Sequence, residues 1–212
     1  MNNDTTPAPR GALFDLDGVL IDSEGIYTEF WQSIDDEFHT GVDNFALAIK
    51  GTTLDNILST YFSQDDYPEI LRRLKMQEQE MVYRLFPGAE EALNLLRAAG
   101  WRTAIVTSSN PAKMEGLFSQ VPSLRTLVDT IITDHDVQRS KPDPQGYLLA
   151  ASRLGCRPAD CLVFEDSLQG IEAGRRAGAR VIGIATTNPR SAVEPVADLT
   201  LDTIADFDLT LL

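Results

Sequence analysis

Phe14-Asp15-Leu16-Asp17-Gly18 sets two carboxylates two residues apart, where an apolar run meets a glycine, and it constrains the chain more than any other stretch. If Gly11 to Leu16 is a buried strand, Asp15 falls at or just past its carboxyl end. Gly18 then lets the chain turn away while Asp17 folds back toward Asp15, so that both carboxylates can share one ion. Read alone, the same residues are also a strand followed by an ordinary acidic Asp-Gly turn.

Three later segments carry groups complementary to a phosphate ester on a magnesium-bound carboxylate. Thr107-Ser108-Ser109 follows the apolar run Thr103 to Val106, where hydroxyls and unpaired amides at a strand end can cradle phosphate oxygens. The competing reading is a helix cap before Pro111. Lys141-Pro142-Asp143-Pro144 fixes a cation in a stiff loop ahead of a helix over Gln145 to Leu154, where a free surface lysine is the default. Glu165-Asp166-Ser167 closes the apolar strand Leu162 to Phe164 and opens a helix with Ser167 as cap. Two adjacent acids at a buried strand end are costly unless a cation lies nearby.

These segments, FDLDGVLIDSE, IVTSSN, KPDP and VFEDSLQGIEAG, resemble in sequence and order the four motifs of the haloacid-dehalogenase-like hydrolases, in particular the phosphatases and phosphomutases related to β-phosphoglucomutase. The resemblance runs from about Arg10 to Asp198. It implies an α/β fold: a Rossmann-like three-layer core with a parallel sheet, and an inserted all-helical cap domain. It implies that Asp15 is the nucleophile, forming an aspartyl-phosphate. Asp17 would be the general acid and then the base that activates water. Mg2+ would be held by the Asp15 and Asp166 carboxylates and the Asp17 backbone carbonyl, with Glu165 as secondary acidic support. Thr107 and the Ser108 amide would bind the transferring phosphoryl group, and Lys141 would offset charge between it and Asp15.

The texture of the chain agrees. Strands are expected at Arg102 to Thr107, Thr130 to Thr133, Cys161 to Glu165 and Arg180 to Ala185, with helices between, the alternation of a parallel sheet. Ser23 to Leu85 reads as almost wholly helical. Tyr27, Phe30, Trp31, Ile34 and Phe38 mark one buried stripe, with further helices over Asp43 to Ile49, Leu54 to Phe62 and Pro68 to Phe86. The core is therefore placed at 1–20 and 88–212 and the cap at 21–87, with hinges near Leu20 to Asp22 and Phe86 to Gly88. Lys50, Gly51 and Thr52 resemble the cap loop that reaches toward the active site, and together with Asn110 are the candidates for substrate specificity.

The mutases of the family carry a histidine where Tyr27 stands, an arginine at Leu54 and a lysine at Asn110. Without two of those cations a second phosphate is poorly held, so hydrolysis of a small phosphorylated metabolite, a sugar or polyol phosphate, is favoured over phosphomutase action. A receiver-like phosphorylation switch is disfavoured, because it needs neither the helical insert nor an acid two residues past the phosphorylated aspartate.

A net charge of −14 over 212 residues argues against nucleic acid or an anionic membrane as partner. No stretch approaches ~18 consecutive apolar residues, and Met1 to Pro7 has no basic head with an apolar run. The expectation is a cytoplasmic monomer with a frayed start. Cys156 and Cys161 read as reduced thiols, and His39 and His135 as surface or helix-end residues.

Overall fold

The structure is a computed structural model that describes residues 8–212, apart from the Glu24 side chain. The expectation of a frayed start falls on residues outside this range. Six strands, β1 (Arg10–Phe14), β2 (Trp101–Val106), β3 (Thr130–Ile132), β4 (Cys161–Glu165), β5 (Arg180–Ile184) and β6 (Leu199–Leu201), form one parallel sheet in the order β3-β2-β1-β4-β5-β6. Strand ends lie within a residue or two of those expected, and β6 was not foreseen.

Side chains of β1 alternate between two apolar layers because successive residues of a strand face opposite sides. Ala12 and Phe14 join Leu162, Phe164 and Ile182 on one face, with Phe14 stacked on Phe164 at 4.3 Å between ring centroids. Leu13 joins Ala104, Val163 and Val181 on the other. Helices α5 (Ala89–Ala98), α6 (Pro111–Gln120) and α7 (Pro122–Thr126) cover the first face through Leu93, Leu96, Met114, Leu117 and Leu124. Helices α8 (Gln145–Leu154), α9 (Leu168–Ala177) and α10 (Arg190–Val193) cover the second through Tyr147, Ala150, Ile171 and Val193. Burial on both faces explains why the strands read as continuous apolar runs.

Four helices, α1 (Glu24–Phe38), α2 (Phe45–Ala48), α3 (Leu54–Tyr61) and α4 (Tyr67–Glu80), lie between β1 and α5 and enclose a third cluster. Phe30, Trp31 and Ile34 are buried in it, and Tyr27 and Phe38 pack against it, which is the stripe expected for α1. Aromatic side chains dominate this cluster. Trp31, Phe45 and Phe62 meet edge-on or stacked within 6.5 Å.

The helix expected to run to Phe86 ends at Glu80. Beyond it Leu85 pairs with Ile21 in an isolated antiparallel bridge, Asp22 N–H donates to Arg84 C=O at 2.8 Å, and Phe86 N–H donates to Leu20 C=O at 2.9 Å. The two chain crossings between sheet and helical layer are thus paired with each other. A backbone partner outside the segment overrides its helical pattern.

Removing the Phe14 ring should leave a cavity between the sheet and its helical cover. Phe14→Ala is expected to lower unfolding free energy by about 3–5 kcal/mol in urea titration. A loss below about 1 kcal/mol would mean that the stacked pair is not central to the core.

Candidate active site

The strand order reverses at β1: the chain runs outward through β2 and β3 on one side and through β4, β5 and β6 on the other. Beyond the carboxyl ends of strands at such a point a crevice opens, because the following loops diverge. Asp15 follows β1, Thr107 follows β2, Glu165 closes β4 and Asp166 follows it. Register holds the acids side by side, since Phe14 pairs with Phe164 and the Asp15 N–H donates to the Phe164 carbonyl at 2.9 Å.

Asp15, Glu165 and Asp166 each offer a carboxylate oxygen within 4.8 Å of the others, and all three residues are buried. Lys141, itself buried, compensates part of this charge. Its Nζ donates to Asp15 Oδ1 at 2.5 Å, to Glu165 Oε1, and to the Val106 carbonyl at 3.3 Å. Glu165 is engaged on both sides. Tyr147 Oη donates to Oε1 at 2.7 Å, while the Asp166 and Ser167 N–H groups and Ser167 Oγ donate to Oε2 at 3.0–3.1 Å. Glu165 therefore orients the cluster more than it offers free lone pairs. Space confirms the fit: a Cβ on Gly170 would lie 1.8 Å from Glu165 Oε1.

Asp166 differs. Its Oδ2 is buried and accepts no hydrogen bond of normal geometry among the described residues. An orphaned buried carboxylate oxygen is costly. Burial, then the neighbouring Glu165 carboxylate, pushes the Asp166 carboxyl up to about 7, and burial likewise raises Asp15 well above the ordinary carboxylate value despite Lys141. An all-oxygen set with an unsatisfied acceptor suits a hard divalent cation such as Mg2+. Gly18 passes directly over this oxygen at φ +81°, and a Cβ there would sit 2.0 Å from it.

Asp17 turns away from these three acids, so its carboxylate does not share their site as the dipeptide spacing had suggested. Lys113 Nζ donates to both Asp17 oxygens at 2.6 Å, Ser109 Oγ donates to Oδ2 at 3.1 Å, and Ser23 Oγ donates to Oδ1. Burial favours its neutral form, but Lys113 and these hydroxyls hold the carboxyl below its usual value. Lys113 was not singled out in the sequence. It lies on the first turn of α6, placed there by Asn110, whose Oδ1 accepts the Lys113 N–H at 2.9 Å as helix cap.

Asp15, Asp17, Asp166, Thr107, Ser108, Asn110, Lys50, Gly51 and Thr52 all line one cavity of ≈ 130 Å³ between the sheet and the helical layer. Lys141 and Glu165 stand behind it. Polar contacts join the layers, among them Ser108 Oγ to Gly51 O at 2.9 Å, Gln169 Nε2 to Ala48 O at 3.0 Å, and Asn56 Nδ2 to Ser140 Oγ at 3.2 Å. Cys156 and Cys161 are buried and unbridged, and His39 and His135 are exposed.

The sequence profile of the haloacid dehalogenase-like hydrolases matches residues 9–178. The chain belongs to that family. It is 32% identical over 197 residues to validoxylamine A 7'-phosphate phosphatase of Streptomyces hygroscopicus subsp. limoneus, covering 86% of this chain and 88% of that protein. It is 32% identical over 183 residues to hexitol phosphatase A of Escherichia coli K12, covering 82% of each. Among solved structures, the β-phosphoglucomutase of Clostridium difficile superposes with a TM-score of 0.76 over 96% of this chain and 95% of that one. At 20% identity that likeness speaks for the shared fold alone.

Because Asp166 holds its proton more tightly folded than unfolded, stability of the metal-free hydrolase should fall as pH rises from about 4 through about 7. Cation binding requires the ionised form. Added Mg2+ should therefore raise the melting temperature more at about pH 8 than at about pH 5, and Asp166→Asn should remove most of the difference. An equal Mg2+ effect at both pH values would contradict the assigned site.

Proposed function

We propose that the chain is a Mg2+-dependent phosphatase that hydrolyses a small phosphorylated metabolite, a sugar or polyol phosphate, through an aspartyl-phosphate on Asp15. The observation that carries this reading is the Asp15 carboxylate pinned through Oδ1 by Lys141 at 2.5 Å, beside the buried Asp166 Oδ2, which accepts no hydrogen bond of normal geometry among the described residues, at the cavity. With Oδ1 held, Oδ2 is the oxygen that attacks phosphorus in line with the leaving alcohol. Asp15 and Asp166 would hold Mg2+ with the Asp17 carbonyl, Glu165 steadying them. Bound there, the ion would supply positive charge against the phosphoryl oxygens. Thr107 and Ser108 cradle those oxygens from the end of β2, while Lys141 offsets charge as nucleophile and phosphoryl group meet.

Asp17 is assigned the proton transfers: it protonates the leaving alcohol, then takes a proton from the water that attacks the aspartyl-phosphate. A carboxylate gripped on both oxygens by an ammonium group is held ionised, which suits the second step. The first needs the Lys113 contact to loosen as substrate enters. The helical layer, proposed as a cap spanning residues 21–87, keeps bulk water from the buried carboxylates while it is closed. The names of the relatives, phosphatases of a validoxylamine phosphate and of hexitol phosphates, support a phosphorylated polyol-like substrate.

Phosphomutase action is disfavoured by Tyr27, Leu54 and Asn110, which line the same cavity without adding a cation. Each lost charge-assisted contact to a second phosphate is worth roughly 1.5–3 kcal/mol, enough to shorten the residence of a bisphosphate intermediate greatly. Glucose 1-phosphate primed with a bisphosphate should therefore yield inorganic phosphate rather than glucose 6-phosphate in a coupled assay. Faster appearance of glucose 6-phosphate would restore the mutase. Asp15→Asn should fold but lose turnover of p-nitrophenyl phosphate, and retention of more than a few per cent of the activity would remove Asp15 as nucleophile.

A further inference from the structure

On the helical side the cavity is lined by the apolar residues Trp31, Ile49, Ile57 and Leu74, with Lys50 toward the carboxylates. One acid interrupts the apolar part. Glu78, near the end of α4, lines the cavity, and Tyr27 Oη donates to its Oε1 at 3.3 Å. Lys113, whose charge reaches it from the sheet side, pairs with Asp17 in this structure: its Nζ donates to both Asp17 oxygens at 2.6 Å and lies 4.3 Å from the centre of the Tyr27 ring. Glu78 thus presents an acceptor whose negative charge is not neutralised by a direct ion pair among the described residues, in a site where burial disfavours its ionised form.

We infer that Glu78 is the specificity residue of the leaving-group pocket, accepting a hydrogen bond from a hydroxyl of a neutral alcohol that lays an apolar face on Trp31 and Ile57, and rejecting esters with a second anionic group. The inference rests on the phosphatase reading for the identity of the reacting end and adds the chemistry of the other end. A carboxylate in a confined, partly apolar wall repels phosphate or carboxylate more strongly than one at an open surface, because its surroundings screen the pair less. A hydroxyl gives that carboxylate a further donor beside Tyr27, and the carbon face of a polyol or sugar ring packs on an indole or isoleucine without loss. Glu78 acts here by hydrogen bonding and charge, beside Tyr27, and takes no part in the proton transfers of Asp17.

Matched esters that differ by one anionic group test it: glycerol 3-phosphate against 3-phosphoglycerate, and fructose 1-phosphate against fructose 1,6-bisphosphate. The wild-type hydrolase should favour the neutral partner by about 30-fold or more in kcat/KM in each pair that turns over. Glu78→Gln should cut that ratio about tenfold, chiefly through the KM of the anionic partner, and Glu78→Lys should invert it. A wild-type ratio near one, or a ratio untouched by both substitutions, would overturn the assignment. Failure of the phosphatase reading shows separately, as absence of Mg2+-dependent turnover of p-nitrophenyl phosphate by the wild type. For any pair that does not react, calorimetric titration of the wild-type and Glu78 variants reads the same ratio as relative affinity, with the same outcomes deciding.

Discussion

Lys141 is the constraint on which the rest of the site depends. Three buried acids within 4.8 Å of each other are electrostatically untenable by themselves, and an ammonium group between Asp15 and Glu165 offsets much of their repulsion. One cation for three acids still leaves a deficit, and burial raises the Asp15 and Asp166 carboxyls in response. The deficit is functional in the proposed account. It is what a divalent ion would fill, and it is why the nucleophile and the cation site belong to one electrostatic unit.

That unit exists because of the sheet. A parallel strand order that reverses at β1 brings the ends of β1 and β4 next to each other, so that Asp15 and Asp166, 151 positions apart in sequence, face one crevice. The loop after β2 contributes Thr107 and Ser108 on the other flank. Opposite stands the helical layer, with its separate aromatic cluster and polar links to the sheet side through Gly51, Ala48 and Asn56. In the proposed account such a layer moves as a body, and residues such as Glu78 and Tyr27 on it set which leaving group the shared chemistry serves.

Much of this was legible in the sequence, for identifiable reasons. A buried parallel strand reads as an apolar run, so β1, β2, β4 and β5 could be placed to within a residue or two, and the acids, hydroxyls and lysine at their ends stood out against them. Contacts made only by tertiary folding did not show. Lys113 is a first-turn residue of α6, and nothing local marks its reach to Asp17. Glu78 lies in a stretch, Gln77 to Glu80, polar enough to pass for a solvated face. The early end of α4 follows from the bridge between Ile21 and Leu85, a pairing across 64 positions that periodicity cannot reveal. Strand β6 has three residues, too few to establish a pattern.

The central claim is that Asp15 takes the phosphoryl group and Asp17 governs its release. The most direct measurement is intact-protein and peptide mass spectrometry of Asp17→Asn mixed with Mg2+ and an activated ester with a good leaving group. The account predicts one phosphoryl adduct per chain, on the peptide containing Asp15, forming readily and decaying slowly because its attacking water lacks a base. No adduct together with an undiminished steady-state rate, or an adduct on a peptide without Asp15, would contradict it.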